Sequence, residues 1–157
     1  MHAPALLLAA LVLACSACSV PLAPRADAAL AAELRSTNRD AQVLLQQLRA
    51  PSPGPCAARG ANYADLIGRL RALEMQASAR ELPPASLLAR LEGRIDADPA
   101  FSAQPSARAL RGAASTLEQM QLADCAGRLH GAALSAFVAQ ADIFLEQALA
   151  YEAMLER

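Results

Sequence analysis

Apolar residues recur along the chain at steps of three and four, and clusters of Pro and Gly separate the periodic stretches. That is the pattern of amphipathic helices, not of alternating strands. Asp27 can cap a first helix with Leu30, Leu34, Ala41, Leu44 and Leu48 on one face and Thr37 filling the gap. Pro51-Ser52-Pro53-Gly54-Pro55 cannot continue it. After a loop holding Cys56 and Gly60, Asn62 and Asp65 stand in capping-box-like spacing. They precede a second helix with the stripe Tyr63, Leu66, Leu70, Leu73 and Ala77. Pro83-Pro84 interrupts it, and Leu87, Leu88, Leu91 and Ile95 mark a short third helix. A loop with Pro99 follows, from which Phe101 is expected to plug one end of the core. Pro105 suits the first position of a fourth helix, with Leu110, Ala114, Leu117 and Met120 or Gln121 on its face and an end near Asp124. Gly127 and Gly131 either lie within one helix that runs through both segments or bracket a corner before the last helix. There Leu134, Phe137, Ala141, Phe144, Ala148, Tyr151 and Leu155 form a heptad seam, which Val138 and Leu145 widen toward a bundle-type face.

These elements predict an all-α fold, and the cysteines select its topology. Cys56 and Cys125 lie inside the helical domain, and two such cysteines in an oxidising compartment pair more often than they stay free. Bonded Cα atoms lie about 5–6 Å apart. Both cysteines share one end only if the second and third helices form one arm broken at Pro83-Pro84. The expectation is an up-down four-helix bundle over residues 27–157, cross-linked at one end by Cys56–Cys125.

Composition agrees with that class. The 157 residues are 55% hydrophobic and 3% aromatic, with no Trp and only 7 Gly. About a quarter of them are Ala, well above average usage. Sheet proteins need more β-branched and aromatic residues, and disordered chains carry more charge. The net charge of -1 gives no support for nucleic-acid binding. Charge is unevenly placed: residues 25–111 hold twelve Arg against nine acids, and residues 112–157 hold two Arg against six acids. Two explanations fit. The basic early helices pair with the acidic late ones inside the bundle, which is the favoured one, or an acidic face is left exposed for a basic partner.

The first charged residue is Arg25. Before it, Ala5 to Ala14 reads ALLLAALVLA, about half the roughly 20 residues a membrane span needs. It suits the apolar core of a signal peptide. The segment Leu11-Val12-Leu13-Ala14-Cys15 resembles the lipobox of bacterial lipoproteins. The resemblance implies cleavage after residue 14 and a diacylglycerol and N-acyl chain on Cys15, with Cys18 as the alternative site. It implies no other cofactor. Ser16 stands where an Asp would signal inner-membrane retention, so the implied location is the periplasmic face of the outer membrane. Residues 15–26, with two prolines and no helical period, read as the lipid attachment and tether.

No chemical constellation accompanies the helices. The histidines are His2 and His130, too few for a zinc site. A corner hydrogen bond is the expected role of His130. The one-turn pairs Asp142/Glu146 and Glu152/Glu156 read as a solvated face, not as acid–base partners. There is no Gly-rich phosphate loop. The expected function is therefore a non-catalytic protein-binding module, with another envelope protein as partner and neither nucleic acid nor metal. Small helical lipoproteins of the pilotin and immunity type are similar in size, anchor and class, but not in motif. The expected contact strip is Val138, Leu145 and Leu149, flanked by Asp142 and Glu146, unless bundle packing buries it. A carrier or sensor of a small apolar ligand is the alternative.

Overall fold

A computed structural model describes residues 24–81 and 104–157. Cys15, Cys18, the break at Pro83-Pro84, the short third helix and Phe101 lie outside the described residues. Four α-helices are seen, α1 (Ala28–Leu48), α2 (Gly60–Ser78), α3 (Pro105–Cys125) and α4 (Gly131–Leu155), with a 3₁₀ turn at Cys56–Arg59. Among the described residues there is no strand.

Each helix packs against its two neighbours in the cyclic order α1, α2, α3, α4. The C-terminal end of α1, the start of α2, the end of α3 and the start of α4 share one end of the bundle, called here the upper end. The opposite termini share the lower end. The polar links fix this up-down-up-down order. Arg59 meets Asp124 at the upper end, and Arg80 meets Glu152 at the lower. Cys56 and Cys125 form a disulfide at the upper end with Cα atoms 5.0 Å apart.

The core is the predicted set of stripes. Leu30, Leu34, Leu44, Tyr63, Leu70, Leu110 and Leu117 are buried, and Thr37 donates its hydroxyl to the Glu33 carbonyl at 2.9 Å, which removes the cost of burying it. Asp27 caps α1, accepting from the backbone N–H groups of Ala29 and Leu30 at 3.0 Å each. The start of α2 differs from expectation. The 3₁₀ turn runs directly into the helix at Gly60, so Asn62 and Asp65 lie inside it and cap nothing. Cys56, held to Cys125, and the buried Arg59 set where that turn begins.

Helix α3 is buried on two sides through small residues: Ser106, Ala107, Ala109, Ala113, Ala114 and Thr116. Small side chains let the backbones of α2 and α4 come close. At Gly112 a Cβ would stand 2.6 Å from the Phe144 ring, so only glycine leaves room for that aromatic against α3.

Helix α4 is rotated from its expected phase. The buried positions are Val138, Ala141, Leu145, Ala148 and Glu152, while Phe137 and Phe144 are only partly covered. Both phases have heptad spacing, because α4 is apolar nearly all round. The aromatics lie on its flank, where α3 is narrow, and the branched aliphatics fill the centre.

Candidate functional site

The strip expected on α4 is not exposed. Val138 and Leu145 are core residues, 3% and 1% exposed, and Leu149 packs against the core. Asp142 accepts from Gln42 Nε2 at 2.8 Å and lies 4.0 Å from Arg49. Of the five strip residues, Glu146 alone is exposed. Burial follows from the phase of α4: the residues that widened the expected seam are its centre.

The expected solvated acidic face holds for Asp142, Glu146 and Glu156, which keep solvent contact, and is corrected at Glu152. Glu152 is buried and holds Arg80 through two bonds, Nη1 to Oε1 at 3.0 Å and Nη2 to Oε2 at 2.6 Å. Glu118 binds Arg71, Asp124 binds Arg59 and Glu156 binds Arg35. With Asp142 near Arg49, five of the six acids in residues 112–157 meet an arginine from residues 25–111. The charge asymmetry of the sequence is thus cancelled between helices. The exposed pairs stabilise little individually, about 0–1 kcal/mol each, but they fix which helices are neighbours.

The densest polar cluster closes the upper end. Arg59 Nε and Nη2 grip the Asp124 carboxylate at 3.0 and 2.7 Å. Nη1 donates to the carbonyls of Pro53 and Gly54. Tyr63, fully buried, donates its hydroxyl to Asp124 Oδ2 at 3.4 Å. Burial and the Asp124 charge push the Tyr63 phenol well above its ordinary range, against the opposing field of Arg59. Every nitrogen of Arg59 that donates here, and the Tyr63 hydroxyl, is engaged within the fold, so the cluster reads as a structural clasp. His130 is the N-cap of α4 with no side-chain cap bond; its carbonyl, not its imidazole, accepts the first helical bond, from Leu134 N–H. Among the described residues no group of three His, Cys, Asp or Glu side chains is disposed to hold a metal.

Two surface depressions are formed by described residues alone. One, of about 480 Å³, runs along α1 between Gln42, Val43, Gln46 and Gln47. The other, of about 360 Å³, lies at the upper end in the corner between α3 and α4, lined by Gln119, Leu122, Ala123, Arg128, Ala133 and Phe137. Leu122 is 69% exposed there, the largest exposure of any big apolar side chain among the described residues. The corner is held by its backbone. Gly127, at φ 65°, lets the chain reverse, its N–H donates to the Asp124 carbonyl, and Arg128 N–H donates to the Ala123 carbonyl. This pair of bonds is a Schellman motif, and it sets Arg128 beside Ala123 on the rim of the cleft.

Sequence reasoning missed this cleft. Its one signal was Leu122, a leucine off the stripe of its own helix. Helix α4 is the one described helix long and apolar enough by length and composition to cross a membrane. Its inner face belongs to the bundle core. No protein-family model matches the chain, and no curated protein or solved structure is detectably similar to it.

Proposed function

We propose that this chain is a lipoprotein of the bacterial outer membrane, anchored through acyl chains on Cys15, that binds another envelope protein without catalysing a reaction. The Leu11-Val12-Leu13-Ala14-Cys15 segment supports the anchor. The tether joins α1 at its lower end, and α1 has 21 residues, or about 32 Å at the usual rise. The corner cleft lies at the opposite end of α1 from the tether. The observation that carries the binding reading is this contrast. Of the carboxylates in residues 112–157, all but Glu146 are spent on cross-helix pairs, while a large apolar side chain, Leu122, stands exposed beside an open cleft.

Two measurements test it. Mass spectrometry of the mature N-terminal peptide is expected to show a diacylglyceryl, N-acylated Cys15, and Cys15→Ser is expected to release the protein from membranes. A lipid-free N-terminus beyond Cys18 defeats the anchor. A photoreactive residue placed at 122 is expected to give one adduct of defined mass in intact cells, absent when the same residue is placed at 65 on the α2 surface. Adducts at neither position, together with turnover of an envelope substrate by the purified protein, defeat the binding reading.

A further inference from the structure

We infer that the corner cleft between α3 and α4 receives the carboxy-terminal residue of a partner polypeptide, with its apolar side chain in the cleft and its carboxylate on Arg128. This rests on the protein-binding reading above and names the site and the chemistry that it takes.

The cleft walls are mostly apolar, Leu122 and Ala123 from α3 and Ala133 and Phe137 from α4, with the neutral Gln119 beside them. At about 360 Å³ it sits near the small end of the range for specific ligand sites, roughly 300–1,000 Å³. It takes one or two residues and not a whole helix. Its charge has one sign. Arg128 is exposed on the rim, and none of the ion pairs among the described residues uses it. The nearby Asp124 is already committed to Arg59. An unmatched guanidinium at the edge of an apolar cleft selects a ligand that is apolar and anionic within a few ångströms. The last residue of a polypeptide meets that description, because its side chain and its carboxylate leave the same Cα. A guanidinium binds a carboxylate through two parallel N–H···O bonds, which fixes orientation as well as charge.

The site is also built in advance. The Schellman bonds at Gly127 and Arg128 hold the rim, and the disulfide holds the end of α3. Little ordering cost is left for binding. The position of the cleft, remote from the tether, favours a soluble polypeptide end over a lipid surface.

The test uses the purified full chain and a fluorescein-labelled peptide, Ser-Gly-Ser-Gly-Leu-Phe, as free acid and as C-terminal amide, read by anisotropy. Decanoate serves as the small-molecule probe. The free acid is expected to bind at sub-millimolar concentration and the amide roughly tenfold more weakly, the scale of one charge-assisted bond. Arg128→Gln is expected to bring the acid down to the amide and leave the amide unchanged. Leu122→Ser is expected to weaken both. Both residues are exposed, so these variants keep the fold, and circular dichroism checks it.

Equal binding of acid and amide overturns the inference, as does an Arg128→Gln effect on both alike. Binding of decanoate without binding of either peptide overturns it in favour of a small-ligand site. Failure of the peptides together with a specific cross-link from position 122 refutes carboxy-terminal capture and leaves the protein-binding reading standing. Failure of both removes both.

Discussion

Each end of the bundle is closed by an arginine that crosses between helices to a carboxylate, and the two closures are built differently. At the upper end Arg59 spends all its nitrogens, on Asp124 and on the Pro53 and Gly54 carbonyls. Tyr63 and the Cys56–Cys125 disulfide support the same corner. At the lower end Arg80 grips Glu152 through its two terminal nitrogens, while its Nε is buried with no hydrogen-bond partner. Only the Arg80 carbonyl gains a further partner, the Gln104 amide at 2.7 Å. The upper end is redundant, and the lower end has one buried ion pair, with the more exposed Arg35–Glu156 and Gln76–Asp27 contacts beside it. Buried pairs are costly to desolvate, so removing one member strands the other.

The largest effect is expected from that difference. Glu152→Ala removes the carboxylate that both terminal nitrogens of the largely buried Arg80 hold, and is expected to cost about 3–5 kcal/mol. Asp124→Ala leaves Arg59 two carbonyls and a disulfide-held corner, and is expected to cost about 2 kcal/mol less than that. Denaturant titration of the oxidised proteins measures both. Equal losses would break the comparison.

Next is the disulfide. Cys56 and Cys125 are separated by 69 positions, for which the chain-entropy model gives roughly 4 kcal/mol. The Cys56→Ser/Cys125→Ser protein is expected to lose less than that, because the reduced unfolded chain keeps residual structure, while the Arg59–Asp124 clasp holds the corner in the folded state. In that background Asp124→Ala is expected to cost as much as Glu152→Ala. The sharper test is the coupling between the two changes, which additive behaviour would refute.

Much of this fold was legible in the sequence. The stripes Leu30 to Leu48 and Tyr63 to Ala77 were read correctly because polar residues flank them and allow one phase only. The pairing of Cys56 with Cys125 fixed helix order. The phase of α4 was not legible. Phe137, Phe144 and Tyr151 repeat at the same heptad spacing as Val138, Leu145 and Glu152, one residue on. Periodicity cannot choose between neighbouring stripes on a helix that is apolar nearly all round. Glu152 looked like a surface residue until Arg80, 72 positions away, was seen beside it. The corner cleft was hidden for the same reason, since it depends on where Phe137 lies. The observed phase relies on Gly112, whose missing side chain makes room for Phe144. Gly112→Ala is expected to cost about 1–3 kcal/mol through overpacking, measured by thermal unfolding. Phe144→Leu in the same chain is expected to recover part of the loss; no recovery would separate the phase of α4 from Gly112.

The smallest effect separates the two ends by pH. Asp27, at the lower end, has its carboxyl held below the usual range by the Leu30 backbone N–H, then by Gln76 and the Ala29 N–H, with Arg80 adding to them. A carboxyl lowered by folding contributes stability that is present above its unfolded value, near 3.8, and is lost as pH falls through the folded value. Glu74 acts in the same direction: burial opposes its ionisation, but Arg111 and Arg71 outweigh that. Tyr63, at the upper end, is raised, so its contribution is full below about 10 and is lost as pH climbs beyond. Acid is therefore expected to loosen the lower end first and alkali the upper. Asn at position 27 keeps the cap but cannot titrate. Asp27→Asn is expected to shallow the acid arm of the stability profile without flattening it, since Glu74 remains, and to leave the alkaline arm untouched. Tyr63→Phe is expected to do the reverse. The effect of Asp27→Asn near neutrality is expected to stay within about 1 kcal/mol, the scale of a single cap. Urea midpoints measured across pH on the three proteins decide it. If Asp27→Asn alters the alkaline arm, or Tyr63→Phe the acid arm, these groups do not carry the pH dependence of their ends and the comparison fails at its smallest scale.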